Sequence, residues 1–333
     1  MKVSFLVTYY NQKEYVRESI QSILKIRKEN IEWEILVGDD GSTDGTIDEI
    51  EKYVQHDPEH IKLFVMPREE GKKYFSIQRA SQNRLNLLSH ATGDFFCILD
   101  GDDFYCDSEF LMDTIGVFEQ NPGVSVVGFG YRYYKNEAYG KSSTLPACEN
   151  NQRVDTRSYL KRWYLHAGAC VYRKCFDKDR IEYIKQLGYF DDNDIIINSL
   201  CFGEMYAINK SVYAYRQTGK SVYTSMDALE QAVLNVQGYD VDCAIAPQFS
   251  DELLERNAYS ILLCYFKRKC LKKQLDTKWE IYISASKQIP KSLLLGFFKE
   301  ESSLSTDTKQ IVWKACSRKP LTAIKLFAKT RVQ

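Results

Sequence analysis

Residues Phe95-Phe96-Cys97-Ile98-Leu99 are continuously apolar and run straight into Asp100-Gly101-Asp102-Asp103, three carboxylates around one glycine. The apolar run reads as a buried strand, so the acids stand at a strand end. Like charges this close repel unless something neutralises them. Hard cations such as Mg²⁺ or Mn²⁺ take oxygen ligands, and Mg²⁺ binds through one or two carboxylates plus the phosphates of a substrate. The segment therefore predicts a divalent cation held between protein and diphosphate. A polar turn after a buried strand is its plainer alternative.

Glu34-Ile35-Leu36-Val37-Gly38-Asp39-Asp40-Gly41-Ser42-Thr43-Asp44-Gly45-Thr46 repeats the design, with an apolar strand opening into an acidic, glycine-rich loop ahead of the helical pattern Ile47, Ile50, Val54. Val3-Ser4-Phe5-Leu6-Val7-Thr8-Tyr9-Tyr10-Asn11 is a third strand, followed at helical spacing by Val16, Ile20, Ile23 and Leu24. Open α/β sheets bind ligands in the crevice outside the carboxyl ends of their strands, so the three loops are expected to share one pocket.

The same reading along the chain predicts strands at Val3 to Thr8, Glu34 to Gly38, Lys62 to Met66, Phe95 to Leu99, Val124 to Tyr131 and Val212 to Arg216. Helices are predicted at Tyr15 to Lys25, Gly45 to Tyr53, Ile77 to His90, Ser108 to Glu119, Thr156 to Arg162 and Asp194 to Phe202. This alternation predicts an α/β fold with a mostly parallel central sheet flanked by helices. Asn136 to Arg153 is polar and without periodicity, which suits an excursion near the acceptor side. From Asp227 onward strand signals give way to helical ones, which predicts a first domain over 1–225 and a helical, basic C-terminal extension over 226–333.

The run from Val3 to Leu24, the loop from Asp39 to Thr46, the lead-in Ala91-Thr92-Gly93-Asp94 and the box Asp100-Gly101-Asp102-Asp103 stand in the order of the signatures of glycosyltransferase family 2, which they resemble over roughly residues 1 to 225. The resemblance implies the GT-A fold and an inverting, metal-dependent transfer of a sugar from a nucleotide diphosphate donor. By the same resemblance, Thr8, Tyr10 and Asn11 line the nucleotide with Glu14 close by. Asp39 accepts a hydrogen bond from the base, which favours uracil and hence a UDP-sugar. Asp100 lies near the ribose or the metal beside Gly101, and Asp102, supported by Asp100 or Asp103, binds Mn²⁺ or Mg²⁺. The family's Ala-Arg-Asn becomes Asn83-Arg84-Leu85. Arg84 keeps the cation for base or phosphate, while Leu85 stands in place of the companion asparagine.

Inversion needs a base on the face opposite the leaving diphosphate to take the acceptor's proton. Gly188-Tyr189-Phe190-Asp191-Asp192-Asn193-Asp194 resembles the family's Glu-Asp box, and Asp192 is assigned the base, with Asp191 and Asp194 as neighbours able to raise its affinity for a proton. Helix capping is the alternative for these acids. On the acceptor side, the stretch from His166 to Arg173 and the loop from Tyr215 to Ser221 resemble family segments, with Arg216 or Lys220 in reach of phosphate. A phosphohydrolase of the haloacid dehalogenase type also uses Asp-x-Asp after an apolar strand. Its motif continues to Thr or Val where this chain has Phe104, and it sits on the first strand rather than the fourth. A catalytically silent nucleotide-sugar-binding protein, and transfer to a polyprenyl phosphate, stand as the alternatives to transfer onto a lipid-linked or oligosaccharide acceptor in envelope polysaccharide synthesis.

Charge assigns the tail a separate role. The chain carries 45 Lys+Arg and 45 Asp+Glu, yet Tyr259 to Gln333 holds 16 of the former against 5 of the latter. Lys267-Arg268-Lys269-Cys270-Leu271-Lys272-Lys273 follows an apolar run, as do the basic residues between Ile311 and Lys329. Such faces suit peripheral contact with an anionic membrane, placing the protein at the cytoplasmic side of the plasma membrane. No RNA-binding or helix-turn-helix signature accompanies the charge, so nucleic acid is not an expected partner. Ten cysteines without a CxxC pair read as reduced thiols of a cytosolic protein. Lys2 leads directly into the first strand without a signal-peptide pattern, and no apolar run approaches the roughly 18 to 20 residues that span a bilayer.

Overall fold

The computed structural model describes residues 1–257 apart from 73, 75, 144–150, 163, 220–225, 227 and 254–255. Lys220, the boundary expected near residue 225 and the basic tail lie outside the described residues. The chain divides into two compact units, Met1–Lys220 and Ser221–Gln333.

The first unit alternates strands and helices in the order β1 (Lys2–Tyr9), α1 (Lys13–Leu24), β2 (Glu32–Asp39), α2 (Thr46–His56), β3 (Ile61–Val65), α3 (Ser76–His90) and β4 (Phe95–Asp100). There follow β5 (Phe104–Tyr105), α4 (Phe110–Gln120), β6 (Val124–Lys135), β7 (Ala138–Ser142), β8 (Gln152–Val154) and α5 (Thr156–Arg162). A 3-10 turn (Ala167–Ala169), β9 (Cys170–Arg173), α6 (Lys178–Leu187), α7 (Asp192–Leu200) and β10 (Glu204–Arg216) complete it. The described part of the second unit contains α8 (Ala228–Ile245) and a 3-10 turn at Pro247–Phe249.

One sheet runs in the order β3-β2-β1-β4-β9-β6-β10-β5, with β7 on β6 and β8 on β10. Phe5, Leu6, Val7, Ile35, Leu36 and Val37 are at most 1% exposed, as strands covered on both faces require. The sheet is mixed rather than mostly parallel. β3, β2, β1 and β4 run parallel, as do β6 and β10, but β9 is inserted antiparallel between β4 and β6. Its four residues, Cys-Val-Tyr-Arg, are too few to show a period, so the sequence gave no strand there.

Strand order decides where a ligand fits. The chain moves from β1 outward to β2 and β3, then returns to place β4 on the other side of β1. That reversal opens a crevice at the carboxyl ends of β1 and β4. Thr8 is the register partner of Asp100, and Tyr9 that of Asp39, so all three loops leave the sheet at one level.

Candidate functional site

Backbone contacts set the metal-box loop first. Gly101 N–H donates to the Thr8 carbonyl at 2.9 Å, and Asp103 N–H to the Asp100 carbonyl at 2.9 Å. A side chain at Gly101 would meet the Tyr9 ring at 2.1 Å, so only glycine lets the loop lie this close to β1.

The three carboxylates of the loop then part company. Asp100 Oδ1 accepts from Arg84 at 2.9 Å and from the Thr8 hydroxyl at 3.3 Å, and the Arg84 charge holds its carboxyl below the usual range against the pull of burial. Asp102 has no such cation in contact. Burial and the Asp100 charge push it up to about 6. Asp103 is 2% exposed and faces away, accepting from the Tyr213 hydroxyl and the Arg216 N–H, both at 2.7 Å. Asp103 therefore ties the loop to β10, while Asp102 is the more exposed of the two acids.

Arg216 acts with Asp103. Its Nε donates to the Asp102 carbonyl at 2.6 Å, its guanidinium pairs with Glu18, and it lies between the rings of Tyr15, Phe104 and Tyr134. These partners make it a brace for the box. The first turn of α1 carries Glu14 exposed at the surface, beside Tyr15.

The β2 loop is internally wired. Asp39 is fully buried, and its two oxygens accept from the Ser42 N–H at 2.7 Å and the Ser42 hydroxyl at 2.6 Å. Asn11, at a φ of 50°, joins this loop to β1 through Ser42 and Thr43. Asp44 accepts from Thr46 N–H and Lys13 N–H, so it anchors the starts of α1 and α2. Asp40 is 5% exposed and is paired with both Arg68 and Arg79. The Arg68 guanidinium lies 3.9 Å from the centre of the Tyr10 ring, which is itself 43% exposed. Sequence reasoning missed Arg68 and Arg79. The available signal was Asp40, because a second buried acid beside Asp39 demands a cation.

α3 supplies Arg84. Asn83 turns to the sheet and donates to the Gly38 carbonyl at 2.9 Å, Leu85 is 2% exposed in the core, and Arg84 between them faces the crevice. Leu85 is thus a packing residue, and Asn83 meets the sheet where any side chain at Gly38 would collide with it. One Arg84 nitrogen reaches both Asp100 at 2.9 Å and Asp192 at 3.1 Å. That double contact brings α7 to the crevice.

Of the acids before α7, Asp191 and Asp194 form a capping box. Asp191 Oδ1 accepts from the N–H groups of Asn193 and Asp194, and Asp194 Oδ2 accepts from the Asp191 N–H at 2.7 Å. Asp191 also accepts from the Tyr189 hydroxyl. Asp192 takes no part in the cap and points at Arg84. Burial raises its affinity for a proton, with Arg84 opposing.

His166 is buried beside these acids, and oxygens of Asp100 and Asp103 lie with one of its ring nitrogens within 4.8 Å of one another. Its Nδ1 accepts from the Gly168 N–H at 3.1 Å, so Nε2 carries the proton of the neutral ring. In that tautomer His166 offers a hydrogen to a ligand rather than a lone pair to a metal. Asp103 is committed to β10. Asp100, with its second oxygen, and Asp102, raised by burial and by the Asp100 charge, are acids of the loop chemically suited to a divalent cation.

Comparison with known proteins identifies the family. The family model described as Glycosyl transferase family 2 matches residues 4–180, more than half of the chain and every element of the crevice up to the start of α6. The chain belongs to glycosyltransferase family 2. Among proteins similar to this chain, one named putative glycosyltransferase EpsE, of Bacillus subtilis, is 32% identical over 44% of this chain and 49% of its own length. The glycosyltransferase MG060 of Mycoplasma genitalium is 23% identical over 84% of this chain and 87% of its own. The chain spans about half the length of the first relatives it matches. The crystal structure of Staphylococcus aureus TarS 1–349 superposes with a TM-score of 0.54 at 17% identity, covering 96% of this chain and 92% of that one. The family 2 chain therefore has the GT-A fold, and among its described residues no helix is long and apolar enough to cross a membrane.

Proposed function

We propose that the protein transfers a sugar from a nucleotide diphosphate, a UDP-sugar, to a hydroxyl of an envelope polysaccharide or its lipid-linked precursor, with inversion. The observation that carries this is the single Arg84 nitrogen shared by Asp100 and Asp192, because it sets the acid of the metal box and the uncommitted acid of α7 in one crevice. Support for the donor comes from TarS, a fold neighbour whose structure is known in complex with UDP-GlcNAc. Support for the setting comes from the names of relatives, a poly(ribitol-phosphate) β-N-acetylglucosaminyltransferase and a teichuronic acid glycosyltransferase.

In this reading the nucleotide lies over the ends of β1 and β2, with the base against Tyr10 and Arg68. Asp39, already accepting from Ser42, shares a remaining lone pair with the uracil N–H. Asp100 and Asp102 would hold Mn²⁺ or Mg²⁺, which would supply positive charge to the diphosphate leaving group. Arg84 and the Nε2–H of His166 face the same oxygens. Asp192 takes the proton of the acceptor hydroxyl as its oxygen bonds to the anomeric carbon, and the diphosphate departs with the electron pair of the broken bond. Arg84 opposes the burial that favours the protonated form of Asp192.

Calorimetric titration with UDP, GDP, CMP and dTDP, each with Mn²⁺ and with chelator, tests the donor site. UDP is expected to bind only with metal, and Asp102→Ala to abolish binding. Failure of every nucleotide would overturn the reading.

A further inference from the structure

The twelve residues of β6 and thirteen of β10 carry an unusual set of side chains at the end nearest the crevice. Alternate residues of a strand share a face, so Tyr131 and Tyr133 of β6 lie on one face with Tyr213 and Tyr215 of β10. The register pairs Tyr131 with Tyr213 and Tyr133 with Tyr215, giving a two-by-two tile of tyrosines. Ring centres of Tyr131 and Tyr133 are 5.4 Å apart, of Tyr133 and Tyr215 5.9 Å, and of Tyr131 and Tyr215 6.1 Å, all edge to face.

The tile is continuous with the crevice. Tyr213, fully buried, donates to Asp103 of the metal box. His166 lies over the tile, 4.7 Å from Tyr213, 5.1 Å from Tyr215 and 5.5 Å from Tyr131. Tyr164, 55% exposed, has its hydroxyl in the field of Asp192 and of the Tyr131 hydroxyl. Tyr131, Tyr133 and Tyr215 are half-buried, not sealed.

Cross-strand aromatic pairs stabilise a sheet, which accounts for buried Tyr213. It does not account for three rings left partly exposed in a tile that adjoins His166, where exposed ring carbon carries a cost. A pyranose ring has one face of C–H groups that lies flat on an aromatic ring while its hydroxyls reach polar groups at the rim. An open-chain polyol has no such face. Rings locked edge to face also have little rotamer freedom left to lose when a ligand lands.

We infer that Tyr131, Tyr133 and Tyr215 form the acceptor subsite and take a pyranose ring, so the acceptor presents a sugar rather than an open-chain polyol to Asp192. This rests on the reading of Asp192 as base.

Saturation-transfer NMR tests it without catalysis, using methyl β-glucopyranoside, methyl β-N-acetylglucosaminide and ribitol 5-phosphate as probes, with UDP affinity measured in parallel. Saturation is expected on the C–H face of a pyranoside and not on ribitol phosphate. Tyr133→Leu should weaken pyranoside binding about fivefold to tenfold, and Tyr133→Phe should retain it, with UDP affinity unchanged in both. Saturation of ribitol phosphate alone, of no probe, or equally in Tyr133→Leu and wild type would overturn the subsite. If UDP binds while no pyranoside does, the subsite fails and the donor reading stands. If UDP fails to bind, the donor reading falls, and pyranoside binding is judged on its own.

Discussion

Asp192 shows how one residue's surroundings fit it to a reaction. Asp100, Asp191 and burial favour its protonated form, Arg84 and His166 favour its ionised form, and the Tyr164 hydroxyl completes the shell of facing groups. Burial wins, so its proton is released above the ordinary Asp value of about 3.9. A base works only when ionised. The acid limb of kcat/KM is therefore expected above that ordinary value, with activity lost as pH falls through it, and a pH profile of UDP release from a UDP-sugar checks this. Sequence made Asp192 visible through its neighbours but could not separate it from Asp191 and Asp194. The separation is a matter of direction: two of the acids turn back onto backbone N–H groups and one does not, which no spacing encodes. The bracing contacts of Arg216 were hidden for the same reason, since a cation after the last strand reads alike whether it meets phosphate or the Asp102 carbonyl.

At the scale of elements, the capping box of α7 carries a stability cost that the base does not. Removing the cap with Asp191→Ala should lower stability by about 1 kcal/mol, seen as a lower denaturation midpoint. Asp192→Asn should leave the midpoint level or higher, because an acid whose folded-state value is raised opposes folding once ionised. Equal losses in the two variants would argue that Asp192 is structural. The long apolar strands β1, β2 and β4 were legible because burial on both faces makes them continuous hydrophobic runs. β5, β7, β8 and β9 were not, being two to five residues long. α6 was missed although Asp177 caps its start and Gly188, at a φ of 75°, closes it. Its Lys-Asp-Arg-Ile-Glu-Tyr-Ile-Lys-Gln-Leu sequence buries only Ile181 and Ile184, so the apolar stripe was too thin to see.

Across the whole molecule, charge is distributed by region, with the basic excess confined to Tyr259–Gln333. Each basic residue near an anionic leaflet is worth on the order of 1 kcal/mol. The full chain is therefore expected to sediment with phosphatidylglycerol vesicles and not with phosphatidylcholine vesicles, and replacing Lys267, Lys269, Lys272 and Lys273 with Gln should release it. Retention after that change, or binding insensitive to salt, would point away from electrostatic docking. The central claim is that donor site and base share this crevice but act separately. Its most direct test is one paired measurement on wild type and Asp192→Asn, recording UDP affinity by calorimetry with Mn²⁺ and then UDP release from a UDP-sugar with acceptor present. The account predicts comparable binding by both proteins and UDP release by wild type alone. Undiminished release from Asp192→Asn would contradict it.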